Sequence, residues 1–368
     1  MPPAPPPQEL AARLEAFRES LRRQRLTGFL VTDPANVRYL SGFTGSDSAL
    51  LLTGRRRLLL TDFRYLEEAQ ASAPGWRVIL KPDALMEKAG LYARKLRLRR
   101  LGVEPENLTL AQLKSLRKSA GPVALRPRAK LVEDLRLCKS AWEVRRIEAA
   151  LRVQEACFRQ VCAWLRPGIR EDEAAAEMRY RLVRAGAEDQ AFDCIFQFDA
   201  NASRPHGRPT SRRLRPDSLV LVDWGARVGG YHSDLTRSFF MGRIPRRLRE
   251  IHEVVAEAQR RAREAVSPGV LFAQVDRAAR SFIRQAGYGR CFGHSTGHGL
   301  GLRVHEAPRL SSRAKGALKP GMVVTIEPGI YVPGAGGVRI EDDVLVTETG
   351  RRVLSRLPVG LRWDGRNV

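Results

Sequence analysis

Hydrophobic residues in the first third of the chain follow two spacings that predict alternating helices and strands. Leu10, Leu14, Phe17 and Leu21 recur at helical spacing, and Gly28 can end that helix. Helical patterns also come after residue 84 and over residues 110–119. Short apolar runs typical of strands occur at residues 29–32, 49–53, 57–61, 78–80 and 101–103. The pattern predicts a mixed α/β unit.

A second α/β region follows a domain boundary that we place within residues 122–139. Ser140 and Glu143 form a capping box, and apolar residues from Val144 to Leu165 continue an amphipathic helix that Pro167 can end. Later helices are predicted at residues 171–185, 246–266 and 271–286, alternating with hairpin-forming strands. Because 368 residues exceed one ordinary core, we predict an α/β (α+β) chain with domains over residues 8–131 and 138–360.

Composition narrows the class of protein. The hydrophobic fraction of 43% suits a globular fold, and no apolar run approaches the length of a membrane span. The Pro-rich stretch from Met1 to Pro7 has no apolar signal core. The five cysteines include no C-x-x-C pair, so we expect reduced thiols and neither disulfides nor a thiolate zinc site. These features predict a cytoplasmic protein.

The formal charge of +24 raises the question of a nucleic-acid partner. Basic residues are spread along the whole chain, arginine greatly outnumbers lysine, and no aromatic-basic RNA motif or zinc finger is visible. We therefore attribute the charge to a compositional bias toward arginine and expect no nucleic-acid partner.

The first candidate site residues are two aspartates on a predicted hairpin. Asp223 and Asp234 lie in strand-like runs on either side of Gly229 and Gly230, nearly equidistant from that turn. They should fall within about one residue of facing each other, so that both carboxylates can point to one side. Two such carboxylates form either an exposed pair on a solvated face or, since buried uncompensated charge is costly, a cation site.

Two glutamates repeat this arrangement. Glu327 and Glu341 lie in apolar segments that read as a second hairpin, within about two residues of facing each other. A separate Gly-rich segment that precedes Glu327 contains His294, His298 and His305, and a rigid loop at residues 204–209 presents His206. Taken alone, His298 suits either a metal ligand or a hydrogen-bonded structural histidine, and His206 is a weak signal.

Taken together, four carboxylates and one imidazole suit two divalent ions bridged by carboxylates and a water or hydroxide. Mostly oxygen ligands favour hard or borderline ions, with Mn²⁺ the first choice and Co²⁺ or Zn²⁺ as alternatives. Such a pair would acidify the bridging water, and neutral histidines nearby could donate hydrogen bonds to the reacting groups.

The sequence motifs around these residues resemble those of the pita-bread metallopeptidases. VDWGA, SDLTR, STGHGLGLRVHEAP, TIEPGIY and VRIEDDVLV match that family over roughly residues 140–355. NVRYLSGFTGS and LLTDFRYLEEA resemble the creatinase-type N-terminal domain of prolidases and aminopeptidases P. The resemblance implies a C-terminal pita-bread (creatinase/aminopeptidase) fold preceded by a smaller mixed α/β creatinase-type domain.

The resemblance also implies a role for each residue. The metal ligands would be Asp223, Asp234, His298, Glu327 and Glu341, with Glu327 also the general acid/base. His206 would contact the leaving portion of the substrate, His294 and His305 would stabilise the tetrahedral intermediate, and Tyr331 and Arg339 would orient ligands. His232 and His252 match no functional position, so we expect structural roles for both.

The activity that the resemblance implies is release of the N-terminal residue from peptides with proline in second position. The main alternative is a prolidase that accepts only Xaa-Pro dipeptides. A non-catalytic pita-bread binding protein and a metal-free creatinase-like amidinohydrolase are disfavoured because all five ligand positions are filled. The resemblance also implies a homodimer.

Overall fold

The computed structural model describes residues 5–81 and 84–362. The chain divides into two compact units between Arg136 and Leu137. The domain ranges predicted from the sequence, 8–131 and 138–360, lie on either side of this division. Among the described residues, no helix combines the length and apolarity that crossing a bilayer requires.

The N-terminal unit is a mixed sheet with helices. Its helices are α1 (Pro7–Arg23), α2 (Pro34–Ser41), α3 (Leu66–Ser72), α4 (Leu85–Lys95), α5 (Leu110–Ala120) and α6 (Glu133–Arg136). Its strands are β1 (Gly28–Val31), β2 (Ser48–Thr53), β3 (Arg57–Thr61), β4 (Arg77–Leu80), β5 (Arg100–Val103) and β6 (Ala124–Pro127). They pair in the order β4-β3-β2-β1-β5-β6. Apolar residues of β1 to β5 pack against α4 and α5 to form the core.

The first helix ends earlier than predicted. It stops at Arg23, and Arg25 then turns the chain with a φ of 52°. Gly28 does not end the helix but begins β1, where a Cβ would lie 2.7 Å from the Leu98 side chain. Close packing, and not helix termination, therefore explains the glycine.

The C-terminal unit contains four helices and several small sheets among the described residues. The helices are α7 (Ala141–Trp164), α8 (Glu171–Arg184), α9 (Arg246–Glu264) and α10 (Phe272–Gln285). The first strands are β7 (Asp189–Gln190), β8 (Ile195–Phe198), β9 (Leu219–Trp224), β10 (Ala226–Val228), β11 (Tyr231–His232) and β12 (Leu235–Phe240). The later strands are β13 (Gly297–Gly299), β14 (Glu306–Leu310), β15 (Val323–Ile326), β16 (Gly329–Val332), β17 (Gly336–Arg339), β18 (Asp342–Val346) and β19 (Arg351–Val353).

These strands form sheets that are antiparallel throughout. The orders are β12-β9-β8, β11-β10-β7, β14-β13-β15-β18-β19 and β16-β17. The capping box predicted at the start of α7 is confirmed, because Ser140 Oγ accepts from the Glu143 N–H and Glu143 accepts from the Ser140 N–H.

A buried arginine joins β12 to the start of β18. Arg237 donates to the carbonyl of Glu341 at 2.5 Å, to Asp342 Oδ1 at 2.8 Å and to the carbonyl of Leu357 at 2.6 Å. Its side chain is 1% exposed. Ser238, one residue along β12, exchanges hydrogen bonds with the main chain of Arg339. These contacts fix one predicted hairpin against the other.

We expect Arg237→Met to lower the free energy of unfolding by about 3 kcal/mol, because it leaves buried carbonyl and carboxylate groups without their donor. Urea denaturation at neutral pH would measure this loss. The control is Arg352→Met, since Arg352 is half-exposed in its ion pair with Glu148 and should cost under about 1 kcal/mol. Equal losses in the two variants would contradict the anchoring role.

Candidate functional site

The first hairpin places its two aspartates on one face. Asp223 on β9 pairs with Thr236 on β12, so Asp234 lies two residues from facing Asp223, one more than predicted. The face is shared because an offset of two preserves the alternation of side chains. Gly229 and Gly230 form the turn with φ values of 62° and 75°, as a tight two-residue hairpin turn requires.

The second hairpin brings its glutamates closer together than predicted. Ile326 pairs with Asp342 at one end of the interval, and Gly329 pairs with Arg339 at the other. The same register therefore sets Glu327 directly opposite Glu341, in a gap between the two ladders. There the Glu327 N–H donates to the Thr296 carbonyl and the Glu341 N–H to the Thr236 carbonyl, so both backbones are held.

His298 on β13 completes the cluster. Its Nε2 lies 3.6 Å from Asp234 Oδ2 and 3.5 Å from Glu327 Oε1. Asp234, His298 and Glu341 each offer a ligand atom within 4.8 Å of the other two. The Nδ1 of His298 contacts the Gly299 carbonyl at 3.1 Å, which leaves Nε2 directed at the carboxylates.

Arg339 and its neighbours orient the carboxylates. Arg339 Nη2 donates to Asp223 Oδ2 at 2.6 Å, and Nη1 donates to the Tyr331 hydroxyl at 2.8 Å. The Thr236 hydroxyl donates to Glu341 Oε2 at 2.7 Å. The other oxygen of Asp223, Oδ1, is buried and has no hydrogen-bond partner. A buried carboxylate oxygen without a donor is costly, and a cation ligand would satisfy it.

The pKa shifts of the clustered carboxyl groups also favour a bound cation. Burial, with the charges of Glu341 and Asp223, raises the pKa of Asp234 well above its ordinary value. Burial, with Glu327 and Asp223, does the same to the pKa of Glu341. Burial raises the pKa of Glu327 to about 8 although Arg339 opposes the shift. Cations among these oxygens would remove that repulsion.

Burial disfavours the charged form of three histidines around the cluster. Burial lowers the pKa of both His294 and His298 to about 4, and burial also lowers the pKa of His305. His294 Nε2 lies 2.9 Å from the Tyr331 hydroxyl, and the rings of His298 and His305 meet edge-on at 4.4 Å. Neutral imidazoles can ligate metals through nitrogen or donate hydrogen bonds to a substrate.

A cavity of about 640 Å³ opens over the cluster. Its lining includes the predicted residues His206, Asp223, Asp234, His294, His298, His305, Glu327, Arg339 and Glu341. Tyr331 lies behind this lining, against Arg339 and His294. The structure thus brings all ten predicted residues to one place, drawn from stretches far apart in sequence.

Two residues of the site were missed by sequence reasoning. Thr236 holds Glu341, and its position two residues after Asp234 on the same strand face could have indicated it. Arg309 lines the cavity because it pairs with His298 across β13 and β14. The sequence offered no signal for that pairing, since the register includes an irregularity after His298.

The two remaining histidines contact main chain instead of the cavity. His232 lies on β11, and its ring and its N–H both contact the Gly301 carbonyl, which ties the hairpin of Asp234 to the Gly-rich loop. His252 on α9 contacts the Ser238 carbonyl through Nε2. These hydrogen bonds agree with the structural roles expected for both.

The donor set therefore fits a pair of divalent cations. It offers four carboxylates and one imidazole, an unsatisfied buried oxygen of Asp223, and repulsion that a cation would relieve.

Comparisons with known proteins give a consistent picture. Residues 145–348 match the model of metallopeptidase family M24, and residues 13–138 match that of the creatinase/prolidase N-terminal domain. An uncharacterized peptidase of Bacillus subtilis is 38% identical over 346 residues, which cover 94% of this chain and 98% of that protein. The Xaa-Pro dipeptidase of Pyrococcus horikoshii is 33% identical over 92% of this chain and 95% of its own.

Solved structures are similar over nearly the whole chain. The Xaa-Pro dipeptidase from Bacillus anthracis superposes with a TM-score of 0.93 at 34% identity, covering 96% of this chain and 99% of that one. The X-Pro aminopeptidase from Thermotoga maritima gives 0.88 at 33% identity, covering 94% and 99%. The predicted fold class, a pita-bread fold after a creatinase-type domain, is confirmed.

We expect a divalent cation to stabilise the metal-free protein. Free Mn²⁺ at about 100 times its dissociation constant should add about 2.7 kcal/mol to the free energy of unfolding. Scanning calorimetry of protein treated with a chelator, before and after metal addition, would measure the shift. The double variant Asp234→Asn/Glu341→Gln keeps the shape but removes two charges, so most of the shift should vanish. No shift with Mn²⁺, Co²⁺ or Zn²⁺ would contradict the site.

Proposed function

This chain belongs to metallopeptidase family M24, and we propose that it hydrolyses the bond before a proline in second position, releasing the N-terminal residue of a peptide. The proposal is carried by one observation: four carboxylates and His298 meet in a cavity that three further histidines line. It is supported by relatives named Xaa-Pro dipeptidase and X-Pro aminopeptidase. We also propose a homodimer, as the resemblance to the family implies.

In this proposal, Asp223, Asp234, His298, Glu327 and Glu341 hold two divalent cations. Mn²⁺ is the metal we propose, because four of the five ligands bind through oxygen. When bound, the two cations would lower the pKa of a shared water and polarise the carbonyl of the scissile bond.

The protein's own groups complete the reaction. The Glu327 carboxylate takes the proton of the attacking water and delivers it to the departing proline nitrogen. His305, which lines the cavity, donates a hydrogen bond to the oxygen that becomes negative as the carbonyl is attacked. His294 lines the cavity with both ring nitrogens already engaged, Nδ1 with the Ser295 carbonyl and Nε2 with the Tyr331 hydroxyl, so its role is to help bind the substrate at the cavity wall. His206, at the rim of the cavity, contacts the leaving portion. The bond before proline lacks an N–H, so recognition relies on such contacts to the carbonyl and nitrogen.

Two kinds of variant should separate metal binding from catalysis. Asp234→Ala or Glu341→Ala should lose metal and nearly all activity, with the circular dichroism of the fold retained. His305→Ala should keep the metal but slow turnover, by about a hundredfold if it stabilises the oxyanion. Metal content by atomic emission and rates on Ala-Pro would be measured together. Full activity in a metal-depleted ligand variant would refute the ligand assignment.

A second candidate is a dipeptidase that accepts Xaa-Pro alone. Arg309 favours it, because this guanidinium reaches the cavity beside His298 and has no carboxylate partner among the described residues. In a dipeptide the α-carboxylate lies directly on the proline, and an arginine in the cavity could bind it with two hydrogen bonds. In a longer peptide that position is an uncharged amide.

Peptide length decides between the candidates. An aminopeptidase should cleave both Gly-Pro-Ala and Ala-Pro, whereas a dipeptidase should cleave only Ala-Pro. If Arg309 binds the carboxylate, Arg309→Met should raise KM for Ala-Pro by about tenfold to a hundredfold, the value of a hydrogen bond to a charged group. The control, Arg313→Met, removes an exposed arginine outside the cavity lining. Failure to cleave either peptide with Mn²⁺, Co²⁺ or Zn²⁺ would overturn the proposed function.

A further inference from the structure

One edge of the six-stranded N-terminal sheet, the one formed by an end of each of its six strands, brings together residues that are distant in sequence. Arg77 pairs with Leu58, Arg57 with Leu52, and Thr53 with Gly28. Gly28 also pairs with Leu101, and Arg100 pairs with Ala124. The starts of β1, β3, β4, β5 and β6 and the end of β2 therefore all lie at this one edge. Helices α1, α4 and α5 end there as well, because each leads directly into one of these strands.

Basic residues dominate this edge. We call the following set the basic edge: Arg22, Arg23, Arg25, Arg55, Arg56, Arg57, Arg77, Arg94, Lys95, Arg97, Arg99, Arg100, Arg117 and Lys118. All are exposed except Arg57, which is half-buried. Within the described ranges only Arg22 and Arg23 form ion pairs, with Glu15 and Glu19 of the same helix.

Local structure explains only part of this concentration. Cations in the last turn of a helix offset its dipole, which accounts for members of the set on α1, α4 and α5. It does not account for Arg55 and Arg56 in the β2–β3 turn, or for Arg99 and Arg100 where β5 begins. Like charges side by side repel, and an anionic partner would offset that cost.

The opposite edge has a different character. Strands β1, β3 and β5 end there, beside the carboxylates of Asp33, Asp62 and Glu104. The exposed apolar side chains of Phe63 and Leu80 also lie at that end of the sheet, following β3 and ending β4. The basic edge is thus mainly polar and cationic: of the large exposed apolar side chains of the described residues, Leu91 on α4 lies near it, whereas Phe63 and Leu80 lie at the opposite edge, and a single leucine is little apolar surface to insert into a membrane.

The sequence alone leads us to expect no nucleic-acid partner, but the clustering seen in the fold changes that expectation: we propose that the basic edge binds the phosphate backbone of double-stranded nucleic acid. Arginine provides nearly the whole set, and its planar guanidinium matches phosphate oxygens with two hydrogen bonds. The two large aromatic side chains exposed in the described chain, Phe63 and Tyr180, lie elsewhere, so the edge lacks a platform on which unpaired bases would stack. Contacts to phosphates alone predict binding to a duplex without sequence preference.

The dimensions suit this partner. Six strands at a spacing of about 4.8 Å make an edge about 24 Å long, the length of about seven base pairs of duplex. Five phosphate contacts along that length would give log K a slope of about −4.5 against log salt concentration.

Fluorescence anisotropy of the full chain with a labelled duplex of about 20 base pairs tests the proposal, from about 50 to 200 mM NaCl. The test variant is Arg55→Glu/Arg56→Glu/Arg99→Glu/Arg100→Glu. The hydrogen bonds of these residues to Thr53 and Thr27 use main-chain atoms, so the side-chain changes leave them intact. We expect the variant to bind at least about tenfold more weakly and to lose more than half of the salt slope. Its peptidase rate should match the wild type.

The matched control is Arg159→Glu/Arg246→Glu/Arg277→Glu/Arg313→Glu, which makes the same change in net charge at exposed sites of the C-terminal unit. It should keep most of the affinity and the salt slope. DNA duplex, RNA duplex and the separated single strand are compared, with vesicles rich in phosphatidylserine as the membrane arm. Equal losses in the two variants would overturn the proposal, as would tighter binding to vesicles or single strands, or no binding to either duplex at the lowest salt.

Discussion

Four carboxyl groups share one buried cluster, and few cationic groups stand against them. Arg339 pairs with Asp223, but burial and mutual repulsion still raise the pKa of Asp234, Glu327 and Glu341. Such a cluster is unfavourable by itself, because buried charge without compensation costs several kcal/mol per ion. The surrounding structure must therefore hold these side chains in place against their repulsion.

Hydrogen bonds between the strands hold these side chains in place. Arg237 and Ser238 hold β12 against the start of β18 and the end of β17, while Thr236 between Asp234 and Arg237 donates its hydroxyl to Glu341. The second hairpin keeps one register on both sides of the Glu327–Glu341 gap. Asp223 and Glu341, two of the proposed metal ligands, are thus fixed by Arg339 and Thr236, which are themselves buried, so these carboxylates are preorganised before any cation binds.

The proposed reaction and the proposed nucleic-acid surface depend on different physics in different units. At the cavity, a small number of charges interact strongly because carboxylates such as those of Asp234 and Glu341 are buried. At the basic edge, many exposed arginines each interact weakly, and only a long anionic partner could engage them together. The high positive charge of the chain is therefore more important for the proposed binding at the basic edge than for the cavity, where the predicted metal ligands are mostly acidic.

Much of the site could be predicted because local sequence encodes it. Alternating strands, the Gly229–Gly230 turn and carboxylates placed at matching distances from a turn fix side-chain faces within a hairpin, since the side-chain period is two. Helix α7 and its capping box are equally local. Only the tertiary structure decided the rest: the pairing of Arg309 with His298, the anchoring by Arg237, and the gathering of scattered arginines at one sheet edge. Those depend on register and strand order between distant segments, which no local pattern specifies.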